Sequence, residues 1–363
     1  MKTLNRRIIL GIFILLIIVI IFYFENQKIA PEIAEKTVKD ILLKAGKYPQ
    51  SPELTGISGY INSKEGIKIS DFRGKVVLID FWTYSCINCI RTLPHLTDWN
   101  EKYRDMGLVI IGVHAPEFKF EKNIENVKEA MERHGINYIV VQDNDYATWS
   151  AFKNRFWPRK YLIDKDGFIR YDHVGEGAYE ETERKIQELL AETGIDVIDM
   201  KISEIEDKTP KFGRRTPELY SGYDFALSRG QNIGNLEGIQ PDQTITYSLP
   251  NNFNKDVIYL DGTWKANNDN LEAMGDSLII LSFTASSANI VADSLGDIEM
   301  EVLIGDSYIS KEQAGSDIEF KDGRSFVKIT EPRLYNLFDG EYGDYKLTLK
   351  VKEGFSFNAF TFG

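Results

Sequence analysis

The apolar positions of this chain fall into three regimes. The first is an unbroken run, Ile8 to Phe24 (IILGIFILLIIVIIFYF), preceded by Lys2, Arg6 and Arg7. Its 17 residues cover about 25 Å at the helical rise, at the short end of what spans a bilayer. The basic residues on its N-terminal side predict that everything after residue 24 lies outside the cytoplasmic membrane. Glu25-Asn26-Gln27-Lys28 offers no small-residue cut site, so the run reads as an uncleaved anchor in preference to a cleaved signal. A stub (1–7) and the anchor (8–24) lead into residues 25–50. There Ile33, Val38, Ile41, Leu42 and Leu43 recur at helical spacing, as in a stalk.

The second regime, 51–196, alternates strand and helix periods. Short β-like pieces at Leu54–Ile57 and Ile67–Ile69, punctuated by Pro52, Gly56, Gly59 and Gly66, predict a leading hairpin. Val76 to Trp82 is an apolar strand interrupted only by Asp80. Thr92 to Tyr103 is amphipathic with Pro94 inside it, Leu108 to Val113 is a buried strand, and Phe120 to His134 is a helix ended by Gly135. A strand (Tyr138–Val141), a short helix (Asp145–Phe152), a hairpin (Tyr161–Asp164 and Phe168–His173 around Asp166-Gly167) and a closing helix (Tyr179–Glu192) follow. This order predicts an α/β sheet with helices on both faces.

Residues 197–215 lose periodicity and read as a linker. From 216 to 363 the pattern is all-β: Asp256–Leu260, Ser277–Thr284, Glu299–Ile304, Ser325–Ile329, Tyr345–Val351 and Phe355–Phe362, separated by Gly, Asn and Asp. Such spacing predicts a β-sandwich or jelly roll. Tyr220, Tyr223, Tyr259, Trp264, Tyr308, Tyr335 and Tyr342 are expected to pack its core and edges rather than form a ligand platform.

Charge adds one exclusion. With 55 acidic against 43 basic side chains, net −12, the chain lacks the footprint of a nucleic-acid binder. The cysteine count matters more. Two cysteines in 363 residues, Cys86 and Cys89, cannot form a framework of structural disulfides. They stand at the junction of the Val76–Trp82 strand and the helical pattern after it. There the positive end of a helix favours a thiolate at Cys86, and two intervening residues let Cys89 close a small disulfide ring. A structural zinc site needs about four ligands, and no second Cys/His pair has suitable spacing. Neither metal nor cofactor is expected beyond the redox-active pair. Asp80, a carboxylate inside an apolar strand, is costly unless partnered or protonated.

In combination, DFWTYSCINCIRTLPHL (80–96), IGVHAPEFKFEKN (111–123), VQDNDYATWSAFKNRFWPRKYLIDKDG (141–167) and HVGEGAYEETE (173–183) resemble the thioredoxin fold of the TlpA/ResA class. The resemblance extends to the soluble part of DipZ-type proteins, where a β domain similar to carbohydrate-binding modules follows; TPELYSG (216–222) and NAFTFG (358–363) fit that pattern. It implies Cys86 as nucleophile, Cys89 as resolving thiol and Asp80 beneath them as the proton acceptor of Cys89. It also implies a cis-Pro158 facing the cysteines, Trp157 and Trp82 beside the substrate, and an acidic residue, Glu117, near the pair. The expected activity is a membrane-anchored, extracytoplasmic thiol–disulfide oxidoreductase. It would act on protein thiols and disulfides, with a separate membrane protein as electron-transfer partner. Two other readings fit parts of the pattern: a ligand- or partner-binding β domain on a passive thioredoxin-like platform, and a thiol peroxidase. Thr83-x-x-Cys86 matches half of a peroxiredoxin signature, but Ile79 stands where its proline belongs. Copper held by the cysteines with His95 is disfavoured by the cysteine spacing.

Overall fold

The structure, a computed structural model, describes residues 15–19, 22–23, 38–211 and 213–363. Most of the expected anchor and the first part of the stalk lie outside the described residues; among those described, no helix is long and apolar enough to cross a membrane. Residues 38–45 are helical. Lys44 at its end bonds Asp164 at 2.8 Å and Asp166 at 2.7 Å, so this part of the stalk is docked on the domain that follows.

That domain is built on six strands: β1 (Gly59–Ile61), β2 (Val76–Trp82), β3 (Leu108–His114), β4 (Ile139–Gln142), β5 (Arg159–Ile163) and β6 (Ile169–Val174), in the order β1-β4-β3-β2-β5-β6. β2 lies centrally, parallel to β3 and antiparallel to β5, and every one of its residues is buried. The two-residue period of a strand sorts it between two cores. Val76, Leu78 and Trp82 join the core under helices Ile87–Tyr103 and Tyr179–Ala191, which also holds Cys89. Val77, Ile79 and Phe81 pack on the other face with Phe152 and Tyr161. Asp80 shares the parity of Leu78 and Trp82, which places it on the cysteine side.

Two expectations are corrected. The leading hairpin does not form: β1 instead pairs with β4 at the sheet edge, while Ile67 and Ile69 enter the second core. Those apolar residues were available to cover the sheet face, a better use than an isolated two-stranded piece. The helix expected to start at the cysteine pair does so, at Ile87, and runs through Pro94. The Phe120–His134 pattern splits into a 3₁₀ turn (Lys119–Lys122) and a helix (Ile124–Arg133), because Asn123 caps the latter, accepting the Glu125 N–H at 3.1 Å.

Residues 197–211 and 213–215 cross to the second domain without regular structure, tied down by Glu183. That buried carboxylate accepts from Lys102 (2.6 Å), Tyr103 (2.7 Å) and the Ser203 N–H (2.9 Å). The second domain is β-rich, with eleven strands in one hydrogen-bonded network: β7 (Leu219–Tyr220), β8 (Thr244–Tyr247), β9 (Ile258–Ala266), β10 (Leu271–Ala273), β11 (Ser277–Ser294), β12 (Ile298–Ile304), β13 (Ser307–Tyr308), β14 (Glu319–Lys321), β15 (Arg324–Ile329), β16 (Arg333–Val351) and β17 (Phe355–Phe362). Its spine is two long strands, β11 (Ser277–Ser294) and β16 (Arg333–Val351). Both run beyond their sequence-predicted limits. The first part of β11 (Leu278–Leu281) pairs with β9 (Ile258–Ala266), and the last part (Ala288–Ser294) with β17 (Phe355–Phe362). Register shifts around Ala285–Asn289 let the strand bend between these partners. Phe283, Ile290, Phe338, Phe357 and Phe360 fill the enclosed core.

The two domains share packed surface. Phe118, from the loop after β3, is buried in the core of the β-rich domain beside Phe225. Lys119 N–H donates to Asp269, and Arg133 pairs with Glu331 at 2.7 Å.

Candidate active site

Cys86 ends the loop after β2 and is the N-cap of the Ile87–Tyr103 helix: its carbonyl accepts the Ile90 N–H at 3.0 Å while its own backbone is extended. It is half-buried, whereas Cys89, one turn in, is 1 % exposed. Burial first, then the neighbouring Cys86 and Asp80, push the Cys89 thiol well above its usual range. An inward-facing thiol of this kind needs a base to react.

Asp80 is the carboxylate on that face. It is 1 % exposed, and neither oxygen has a hydrogen-bond partner among the described residues. Burial raises its pKa to about 7, against the opposing pull of Lys160. Lys160 is the residue the sequence reading missed. It sits directly opposite Asp80 in the β2–β5 register, is fully buried, and donates to the Gly175 carbonyl at 3.2 Å. Burial lowers its pKa, and the charges of Asp80, Cys89 and Glu176 raise it. A buried acid and a buried amine thus share the space under the cysteine pair.

A second missed residue shapes the loop before Cys86. Glu121 is completely buried and accepts five donors: Thr83 Oγ1 (2.5 Å), Ser85 Oγ (2.6 Å), and the N–H groups of Ser85 (3.3 Å), Glu117 (2.5 Å) and Phe118 (2.9 Å). One carboxylate therefore fixes both the loop carrying Cys86 and the loop carrying Glu117 and Phe118. Thr83, whose hydroxyl would be the peroxidase-like group, spends it on Glu121. His114 lies behind, stacked on Tyr84 with 5.6 Å between ring centroids, and burial lowers its pKa to about 3.

The remaining expected residues separate. Cys86, Asn88, Glu117 and Trp157 line one cavity of about 350 Å³, and Trp157 Nε1 donates to the Ala115 carbonyl at 3.0 Å. The Trp157–Pro158 peptide is cis. Trp82 is corrected: it has no exposed surface and packs edge-on against His114, because its parity in β2 turns it into the core and away from substrate. His95 stacks on Tyr179 at 3.5 Å between ring centroids, within the protein. Glu117, which as a loop residue could equally have been solvated, is half-buried in the cavity. Burial, with Glu218 and Glu121, pushes its pKa up to about 8.

The far wall of the cavity comes from the β-rich domain, through Arg215 to Glu218, Tyr220, Arg229, Thr361 and Phe362. Sequence reasoning had no means to place these beside Cys86.

A strand-delivered cysteine pair at a helix N-terminus, with a buried carboxylate on its inner side and Trp157, joined by a cis peptide to Pro158, lining the Cys86 cavity, defines a thioredoxin-like redox domain. Comparison with known proteins agrees. Residues 52–172 match the AhpC/TSA family and 216–363 match the family described as thioredoxin like C-terminal domain. The thiol-disulfide oxidoreductase YkuV of Bacillus subtilis is 32 % identical over 142 residues, covering 39 % of this chain and 95 % of YkuV. Protein DipZ of Mycobacterium tuberculosis is 37 % identical over 253 residues, covering 68 % of this chain and 36 % of DipZ. The thiol-disulfide oxidoreductase ResA of Geobacillus kaustophilus is 29 % identical over 122 residues, covering 34 % of this chain and 67 % of ResA. The chain belongs to the thioredoxin-like thiol–disulfide oxidoreductases, and it spans about a third of the length of the DipZ proteins it matches.

Proposed function

We propose that this protein exchanges disulfides with extracytoplasmic protein clients through Cys86 and Cys89, from a membrane anchor at residues 8–24. The observation that carries the reading is the asymmetry of the pair. Cys86 lines an open cavity at a helix N-terminus, while Cys89 is buried over Asp80. In the reductive direction the Cys86 thiolate attacks a client disulfide, forming a mixed disulfide and releasing one client thiolate. Asp80, as carboxylate, takes the proton of Cys89. The Cys89 thiolate then attacks the Cys86 sulfur, closing the Cys86–Cys89 disulfide and releasing the second client thiolate. Two electrons pass to the client, and oxidation of a client dithiol is the reverse. Lys160, opposite Asp80, favours the charged form that the base requires.

Lys2, Arg6 and Arg7 before the apolar run support the outward orientation. The 363 residues hold no cysteine beyond this pair; a separate membrane electron carrier fits the anchored position. The partner exchange along β11 supports reading the β-rich domain as a sandwich. Reduction of a protein disulfide by the purified chain tests the proposal. Wild type is expected to turn over and Cys86→Ser to lose activity; unchanged turnover in Cys86→Ser would remove the exchange mechanism.

A further inference from the structure

The β-rich domain contacts Glu117, which lines the Cys86 cavity, through the Tyr220 hydroxyl. The Tyr220 hydroxyl lies 2.7 Å from Glu117 Oε1 of the redox domain and 2.9 Å from Glu218 Oε2 of its own domain. A hydroxyl carries one proton, and ionised carboxylates only accept. Both contacts can be hydrogen bonds only if one carboxyl is protonated: it donates to the Tyr220 oxygen, and Tyr220 donates to the other. Glu117, Glu218 and Tyr220 all line the cavity that Cys86 opens into.

We propose that Glu117 and Glu218, bridged by the Tyr220 hydroxyl, share one carboxyl proton across the domain boundary and deliver it, from Glu117, to the client sulfur that leaves when Cys86 attacks. This rests on the oxidoreductase reading above. The Cys86 thiolate forms a bond to one client sulfur, the client S–S bond breaks, and the departing thiolate takes the Glu117 proton to become a thiol. Glu117 is left as carboxylate, hydrogen-bonded by Tyr220, and regains its proton from solvent. Glu117 acts on the substrate; Tyr220 and Glu218 are positioning residues that set its proton affinity. The β-rich domain is thereby part of the redox site.

The groups facing Glu117 set the direction of every change. They are Glu218, Tyr220 and Arg229 from the β-rich domain, Glu121 from the turn after β3, and Tyr146 from the loop before the Ala147–Ala151 helix. Arg215 and Cys86 also line the cavity. Glu218 repels charge on Glu117, and the Tyr220 hydroxyl favours it. Glu218→Gln should therefore lower the pKa of Glu117, and Tyr220→Phe should raise it. A merely structural role for the two residues would not give opposite signs.

The test uses the full chain in detergent with Cys89→Ser, which isolates the first exchange, and a synthetic peptide disulfide. The rate is expected to fall above about pH 8, where Glu117 loses its proton. That fall should move to lower pH by about one unit in Glu218→Gln and to higher pH by about one unit in Tyr220→Phe. Infrared difference spectra against Glu117→Gln, which need no turnover, should show a protonated carboxyl titrating with the same opposite shifts. A pH limb that stays put, or moves the same way in both variants, overturns the proposal. Infrared shifts as expected with no exchange by the wild type would overturn the oxidoreductase reading and leave the shared proton standing.

Discussion

Asp80 and Lys160 face each other across the β2–β5 pairing, both buried, with no hydrogen bond between them among the described residues. A carboxylate and an ammonium held in apolar surroundings without direct contact influence each other through charge alone. That makes the proton on Asp80 sensitive to Lys160, and the resolving half of the reaction sensitive to both.

Removing the amine should therefore move a pH limb. Lys160 lowers the pKa of Asp80, so Lys160→Met should raise it above its present value of about 7. Release of a client thiol from a preformed mixed disulfide at Cys86 reports Asp80 acting as base. Its rate is expected to rise with a midpoint near pH 7 in the wild type, and about one unit higher in Lys160→Met. An unshifted midpoint would mean that Asp80 is not the base.

Asp80 also sets a stability trend. Its folded pKa, about 7, lies above its ordinary 3.8, so between those values the native state holds a proton that the unfolded chain has lost. Stability from this group is fully present at low pH and is lost as pH rises through that window. A carboxyl moved that far corresponds to about 4 kcal/mol, and leaving Lys160 without its counter-charge cancels part of this. Asp80→Asn is expected to be more stable than wild type by on the order of 2 kcal/mol at about pH 8, and to gain little near pH 4. Chemical denaturation at the two pH values checks the sign.

Glu121 should be hard to replace even conservatively. Glutamine offers one acceptor oxygen and turns an NH₂ group toward donors that Glu121 now satisfies. Glu121→Gln is expected to cost about 2–4 kcal/mol, since each buried donor left unpaired costs about 1–3. Glu125→Gln, whose side chain makes an exposed pair with Lys128, should change stability by less than about 0.5 kcal/mol. Equal midpoints of denaturation for the two variants would contradict the role given to Glu121.

Much of the redox fold was legible because β2 is unusual. Seven residues buried on both faces leave a clear apolar run, and the one charge inside it, Asp80, announces itself. Lys160 did not, because a lysine between Arg159 and Tyr161 reads as a surface residue. Only the central position of β5, between β2 and β6, makes its side chain interior. Glu121 was hidden for another reason: its donors come from loops 36 residues apart at Ser85 and 3 residues apart at Phe118, and only the folded sheet brings them together. In the second domain, small residues at Ala285–Ala288 interrupt the β pattern where β11 bends, so one long strand read as a short one. The sharing of the Cys86 cavity by both domains depends on their docking through Phe118, which no local pattern encodes.

The central claim is that Cys86 attacks and Cys89 resolves. Full-chain Cys89→Ser, incubated with a peptide disulfide and analysed by intact mass, should accumulate a stable mixed disulfide at Cys86. Cys86→Ser should form none, because its remaining thiol is buried. Equal trapping in the two variants, or trapping only at Cys89, would contradict the account.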